Sequence, residues 1–183
     1  MCRLDRAAKE DIVASFLTEN PTVATAGCDH PALRGAAEVS WDELSCTAAM
    51  PALLGGLLDE SVGEAALGVL TSTLMDGLFH VGRATPFALP FLIRVADDLA
   101  PAVRYGLVEW LIVVAGLCEP VHDENDLRVL GGSSEKDRPE WAQCRAVFRE
   151  HAAVLRDLVD ATGMGAGWNG AADLEPLLQP APA

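Results

Sequence analysis

The chain has 183 residues, half of them hydrophobic, with 27 Asp and Glu against 13 Lys and Arg and a formal net charge of −14. That length suits one domain, able to bury roughly 70% of its unfolded surface. The charge argues against nucleic acid and anionic membranes as partners, because phosphate contact draws its affinity from a basic surface that releases counterions; the expected partner is a basic protein.

In chain order, Leu4, Ala8, Ile12, Val13 and Phe16 recur at helical spacing, with Asp5, Lys9, Glu10 and Asp11 between them, and predict an amphipathic helix over 3–18. NPTVATAGCDHP reads as loop, and Pro31 to Glu38 as a short helix. SWDE at 40–43 has the form of a capping box, which predicts a helix from there to about Leu58. A further helix is predicted over 62–80, stopped by Gly82. Thr85-Pro86 then suits a cap followed by the first helical residue. Helices over 86–98 and 101–118 follow, then an acidic loop from Glu119 to Asp137, and a helix over 140–161 ended by glycines 163, 165 and 167. The segment 163–183 reads as a flexible Gly- and Pro-rich tail, with a short turn over Leu174 to Leu178. No period-two pattern of useful length occurs, so the expected class is all-α.

MPALLGGLLD (50–59) and LPFLIRVADD (89–98) align without a gap at an offset of 39 residues, and SVGEAALGVL (61–70) aligns with AVRYGLVEWL (102–111). HAAVLRDLVD (151–160) is a fainter copy of the first segment without its Pro. Through Pro90, Asp98, Val103 and Arg104, and through Pro51, Asp59 and Val62 before them, the chain resembles HEAT-repeat proteins. The unit of that family is an antiparallel helix pair with Pro in the first helix, Asp near the turn and Val-Arg opening the second. Gly63 stands where the earlier unit should have Arg. FHVG before one Pro helix and WAQCRAVF before the third segment are also similar to short HEAT-like proteins of actinobacteria.

The resemblance covers about residues 40–160 and implies an α-α superhelix: two clear units and a degenerate third over 39–162, capped by the helix and linker of 1–38 at one end and by the helix over 140–161 at the other. Pairs that cannot bury their apolar faces alone stack on one another. Pro51 and Pro90 are expected to bend their helices. Asp59, Asp98 and Arg104 are expected to tie units together, with an Asp–Arg contact across layers.

If Val103, Leu107, Leu111 and Val114 form the core stripe of the second helix, Tyr105, Glu109 and Ile112 form a neighbouring stripe. Glu64, Thr71 and Met75 match it in the preceding unit, and this concave ridge is the expected binding surface. Glu109 beside Trp110 is the first catalytic candidate, since burial would suit it to general acid chemistry; pairing with Arg94 or Arg104 is the structural alternative. Cys118 and His122 with Asp123, Glu124 and Asp126 have metal-binding donor types, but neither the zinc nor the calcium spacing is met, and the same holds for Cys28 with His30. No metal or cofactor is expected. His80 is expected to bond the end of its own helix, and TGMGAG to be a helix stop and not a phosphate loop.

MCRLDRAAKEDIV lacks the apolar core of a signal peptide, and the longest apolar run, from Tyr105 to Cys118, is too short to cross a bilayer and contains Glu109. Five scattered cysteines read as reduced thiols in a cytoplasmic protein. The functional expectation is a non-enzymatic interaction or scaffold module with an acidic concave surface, one version being a neutraliser of a basic effector. The alternatives are an enzyme or small-molecule binder of a biosynthetic pathway around Tyr105 and Glu109, and a HEAT-like DNA glycosylase, against which the charge speaks.

Overall fold

The computed structural model describes residues 5–25, 29–44, 46–77, 80–119, 138–163 and Leu178. These residues are mostly helical, as expected. The first helix, α1 (Arg6–Glu19), is capped by the Asp5 carboxylate, which accepts from the Ala8 N–H at 2.9 Å, and closes where the backbone and side-chain amides of Asn20 both donate to the Phe16 carbonyl. After α2 (Pro21–Thr25), 3-10 turns at Pro31–Leu33 and Ala36–Glu38 sink Leu33 and Ala36 into the core.

The capping box does not form. SWDE folds as a turn in which the Glu43 N–H donates to the Ser40 carbonyl, and Trp41 is buried with its indole N–H donating to the Ala36 carbonyl at 2.7 Å. Burial of the indole outweighs the local capping signal. The helix there, α3 (Met50–Gly56), begins at the first-turn Pro51, so this proline opens its helix and does not bend it.

The next helix, α4 (Gly63–Leu74), stops short of its predicted end at residue 80. An antiparallel pair follows, β1 (Met75–Gly77) with β2 (His80–Val81). The cause lies at the Leu74 carbonyl, which accepts from the Gly82 N–H at 2.8 Å and from the Thr85 hydroxyl at 2.7 Å. A Cβ at residue 82 would collide with that carbonyl, and Gly77 has φ +146°, so both positions require glycine. Thr85 therefore secures the end of α4 instead of capping its own helix. His80 lies on a strand, which removes the helix-end role expected of it.

Then come α5 (Thr85–Val95), with Pro90 inside it, a 3-10 turn at Ala96–Asp98, and α6 (Pro101–Leu117). The helix predicted over 140–161 is two, α7 (Pro139–Glu150) and α8 (Ala152–Thr162), joined at His151; α8 ends at Gly163 with φ +70°. The break lets Trp141, Cys144 and Phe148 of α7 and Leu155, Leu158 and Val159 of α8 be buried on different neighbours.

Helix α1 packs on α4, α4 on α6 and α6 on α8, while α2 packs on α3, the 31–33 turn on α5, and α5 on α7. The segment 151–160, aligned in sequence with first helices, thus packs on α6, a second helix, and α7 takes the place beside α5. One core runs through these elements, from Val13 to Leu178, so α1 and that residue of the tail share it. No helix among the described residues is long and apolar enough to cross a membrane.

Candidate functional site

Val103, Leu107, Leu111 and Val114 are all buried, as the core stripe requires. One step round α6, Tyr105 is 51% exposed and Glu109 is exposed. Ile112 departs from the expectation: it is 3% exposed and belongs to the core, and Val113, at 46%, carries the outer line on. The outer face is thus Tyr105, Glu109 and Val113 at four-residue steps. Because α4, α7 and α8 cover α6 over a wide arc, the exposed strip is narrower than a two-stripe helix would leave. Stepping by four from Glu109, the one charge in the run, would have found it.

On α4, Glu64 and Gly68 are exposed, and Thr71 is half-buried with its hydroxyl donating to the Gly68 carbonyl at 3.1 Å. Met75 has left the helix for β1 and is half-buried. The two helices meet closely at Gly106, where a Cβ would stand 3.0 Å from Leu67 Cδ2. Glu64 and Thr71 thus lie on the helix that packs against the one carrying Tyr105 and Glu109.

Glu109 stands in solvent, so the burial that general acid chemistry would need is absent. Neither proposed arginine pairs with it. The Arg94 guanidinium lies 4.9 Å from the Phe91 ring centroid and its Nε donates to the Ala32 carbonyl at 3.1 Å. Arg104 donates to the carbonyls of Ala96 (3.0 Å), Asp97 and Leu99 (3.4 Å), closing the end of the turn that precedes its own helix. The expected Asp–Arg contact across layers is therefore not made by Arg104: its guanidinium is engaged with the carbonyls of the turn before its own helix, and Asp98 faces His30, with Oδ2 3.7 Å from Nε2. Asp59 also stays local, accepting from the Ser61 N–H at 2.8 Å and the Ser61 hydroxyl at 2.6 Å. These bonds hold its carboxyl below the usual range.

Sequence reasoning missed one cluster. Lys9 is 4% exposed, and its ammonium lies 2.6 Å from Asp76 Oδ1 on β1. Lys9, Val13 and Phe16 are the buried residues of α1, and their spacing is the signal that would have placed Lys9 on the inner face. Cys46 lies within the field of this pair, and burial pushes its thiol up, which keeps it a poor nucleophile. The cluster fastens α1 to the strand after α4.

His122, Asp123, Glu124, Asp126, Cys28 and residues 164–167 lie outside the described residues. Among the described residues, no group of three or more His, Cys, Asp or Glu is placed to hold a metal ion. No protein-family model, curated protein or solved structure matches this chain.

Proposed function

We propose that the chain is a short α-solenoid, similar to HEAT-repeat stacks, that acts as a non-enzymatic interaction module and captures a basic protein on the outer face of α6 and α4. The observation that carries this reading is the line of Tyr105, Glu109 and Val113: an aromatic and a valine, each about half exposed, on either side of an exposed carboxylate. Exposed tyrosine on a rigid element is a common anchor of protein interfaces. The packing supports the stack, since α1, α4, α6 and α8 follow one another on one side and α2, α3, α5 and α7 supply the other.

Charge supports the partner. The first set of helices exposes Glu10, Asp11, Glu19, Glu64, Glu109, Asp157 and Asp160, whereas α2, α3 and α5 contain no carboxylate at all and α7 contributes Glu140 and Glu150. A basic effector neutralised by this face is the version that uses both features.

The test is capture from native lysate by the tagged chain, at low and moderate salt. Wild type should retain a basic protein, Tyr105→Ala and Glu109→Lys should each cut its recovery at least about tenfold, and Glu150→Lys should not. Recovery unchanged in both face variants would sink the assignment.

A further inference from the structure

The outer side of α5 takes no part in the face proposed above. Ala88, Leu89, Phe91, Leu92, Ile93 and Val95 are buried, which leaves Phe87, Pro90 and Arg94 outward, with Arg83 in the turn just before the helix. Phe87 is 42% exposed, Pro90 is half-buried, and both arginines are exposed. Arg34 is exposed at the end of the 31–33 turn, which packs on α5.

Other cations of the chain are committed, Arg6 to Glu10, Lys9 to Asp76 and Arg104 to three carbonyls. Arg34, Arg83 and Arg94 have no ion-pair partner among the described residues. The carboxylates that follow α5, Asp97 and Asp98, lie past its end, and Asp98 is turned to His30. Arg94 is held ready: its Nε donates to the Ala32 carbonyl and its guanidinium lies over the Phe91 ring. Stem and plane are thereby fixed, while the two Nη groups keep the edge that can donate to a carboxylate.

We propose that this side of α5 is a second interaction surface, which takes an extended acidic peptide of a partner protein. Its carboxylates meet Arg83 and Arg94, and an apolar side chain between them rests on Phe87 and Pro90. Arg83 and Arg94 are eleven positions apart, roughly 16 Å at the helical rise. An extended peptide covers that distance in about five residues, which sets the spacing of its two acids. The apolar centre sets the kind of partner. A phosphate backbone would leave Phe87 in water and meet a chain of net charge −14 with only three free arginines, whereas an acidic peptide with a central aromatic or aliphatic residue uses both features. A chain with both faces would join a basic protein on α6 and α4 to an acidic one on α5, and either face can hold without the other.

The test is fluorescence anisotropy of the full chain with a labelled synthetic peptide carrying Asp-Glu pairs about five residues apart around one Phe. Binding should saturate and weaken as salt is raised. Arg83→Glu and Arg94→Glu should each weaken it at least about tenfold, Phe87→Ser at least about fivefold, and Tyr105→Ala on the other face not at all. The Asn-Gln version of the peptide should not bind. Arg83 makes no side-chain bond within the chain, so its variant decides the matter even where Arg94→Glu loosens the 31–33 turn. No saturation by wild type at up to about 1 mM peptide would overturn the proposal. So would equal binding by Arg83→Glu and Phe87→Ser, or tighter binding of a single-stranded oligonucleotide of the same charge.

Discussion

The two segments α3–α4 and α5–α6 begin from nearly the same sequence pattern and finish their turns by different means. In the later segment, Arg104 reaches back to three carbonyls of the turn that precedes its helix. In the earlier one, the matching residue is Gly63, and the reason is space: a Cβ there would stand 2.9 Å from the Leu57 carbonyl oxygen and 3.0 Å from Val103 Cγ2 of α6. Asp59 and Ser61 organise that turn instead. The prolines diverge in the same way, Pro51 opening α3 and Pro90 lying inside α5. A position shared by two repeats therefore shares a place in the chain but not a contact.

The sharpest way to break this comparison is to restore the missing arginine. Gly63→Arg should destabilise the protein by about 3 kcal/mol in urea unfolding, because the obstacle is backbone and a packed neighbour that cannot turn aside. A gain in stability would mean that the two turns are interchangeable. Next in size is Arg104→Met, which keeps the stem but removes the guanidinium donor from the carbonyls of Ala96, Asp97 and Leu99. A loss of about 1–2 kcal/mol is expected by the same measurement for this half-buried group. Arg104→Lys should recover less than half of that loss, since an ammonium cannot reproduce the planar fork.

Gly106→Ala sharpens the contrast from the other side. Among the described residues its close neighbour is the tip of Leu67, a side chain able to shift, and alanine in mid-helix gains about 1 kcal/mol over glycine. The variant should lie between neutral and about 1 kcal/mol more stable, whereas Gly63→Ala, the same chemical change, should be destabilising by about 1–2 kcal/mol.

The smallest effect concerns pH. The Asp59 carboxyl is held below its ordinary value of 3.8 by the Ser61 hydroxyl first and the Ser61 N–H next. Its contribution is present above the unfolded value and is lost as pH falls through the folded one. The stability difference between wild type and Asp59→Asn should therefore shrink as unfolding is followed into strong acid, while that for Arg104→Met should hardly change.

Much of this was legible in the residues. The buried stripe of α6 follows from spacing alone, as does the stop at Gly163, where a left-handed backbone wants glycine. The misreadings share one cause: a local signal overruled by a partner distant in sequence or by tertiary cover. Trp41 buried its indole and undid the capping box; the bonds of Gly82 and Thr85 to the Leu74 carbonyl ended α4 early. Lys9 went inward because Asp76 was there to meet it, 67 residues away. Ile112 was assigned outward because it lies beside the buried stripe of a helix apolar on nearly every side, and Glu109 marked the face that remained exposed. The exposed line of α6 was therefore legible in direction and wrong by one residue, Ile112, in detail.

The claim that this face of α6 and α4 receives the partner is tested most directly by amide hydrogen exchange of the purified complex against the free chain. New protection should fall on Tyr105 to Gly116 and on Glu64 to Thr71, with α5 and α7 unchanged. Protection centred on α5 or α7, with α6 exchanging as in the free chain, would contradict it.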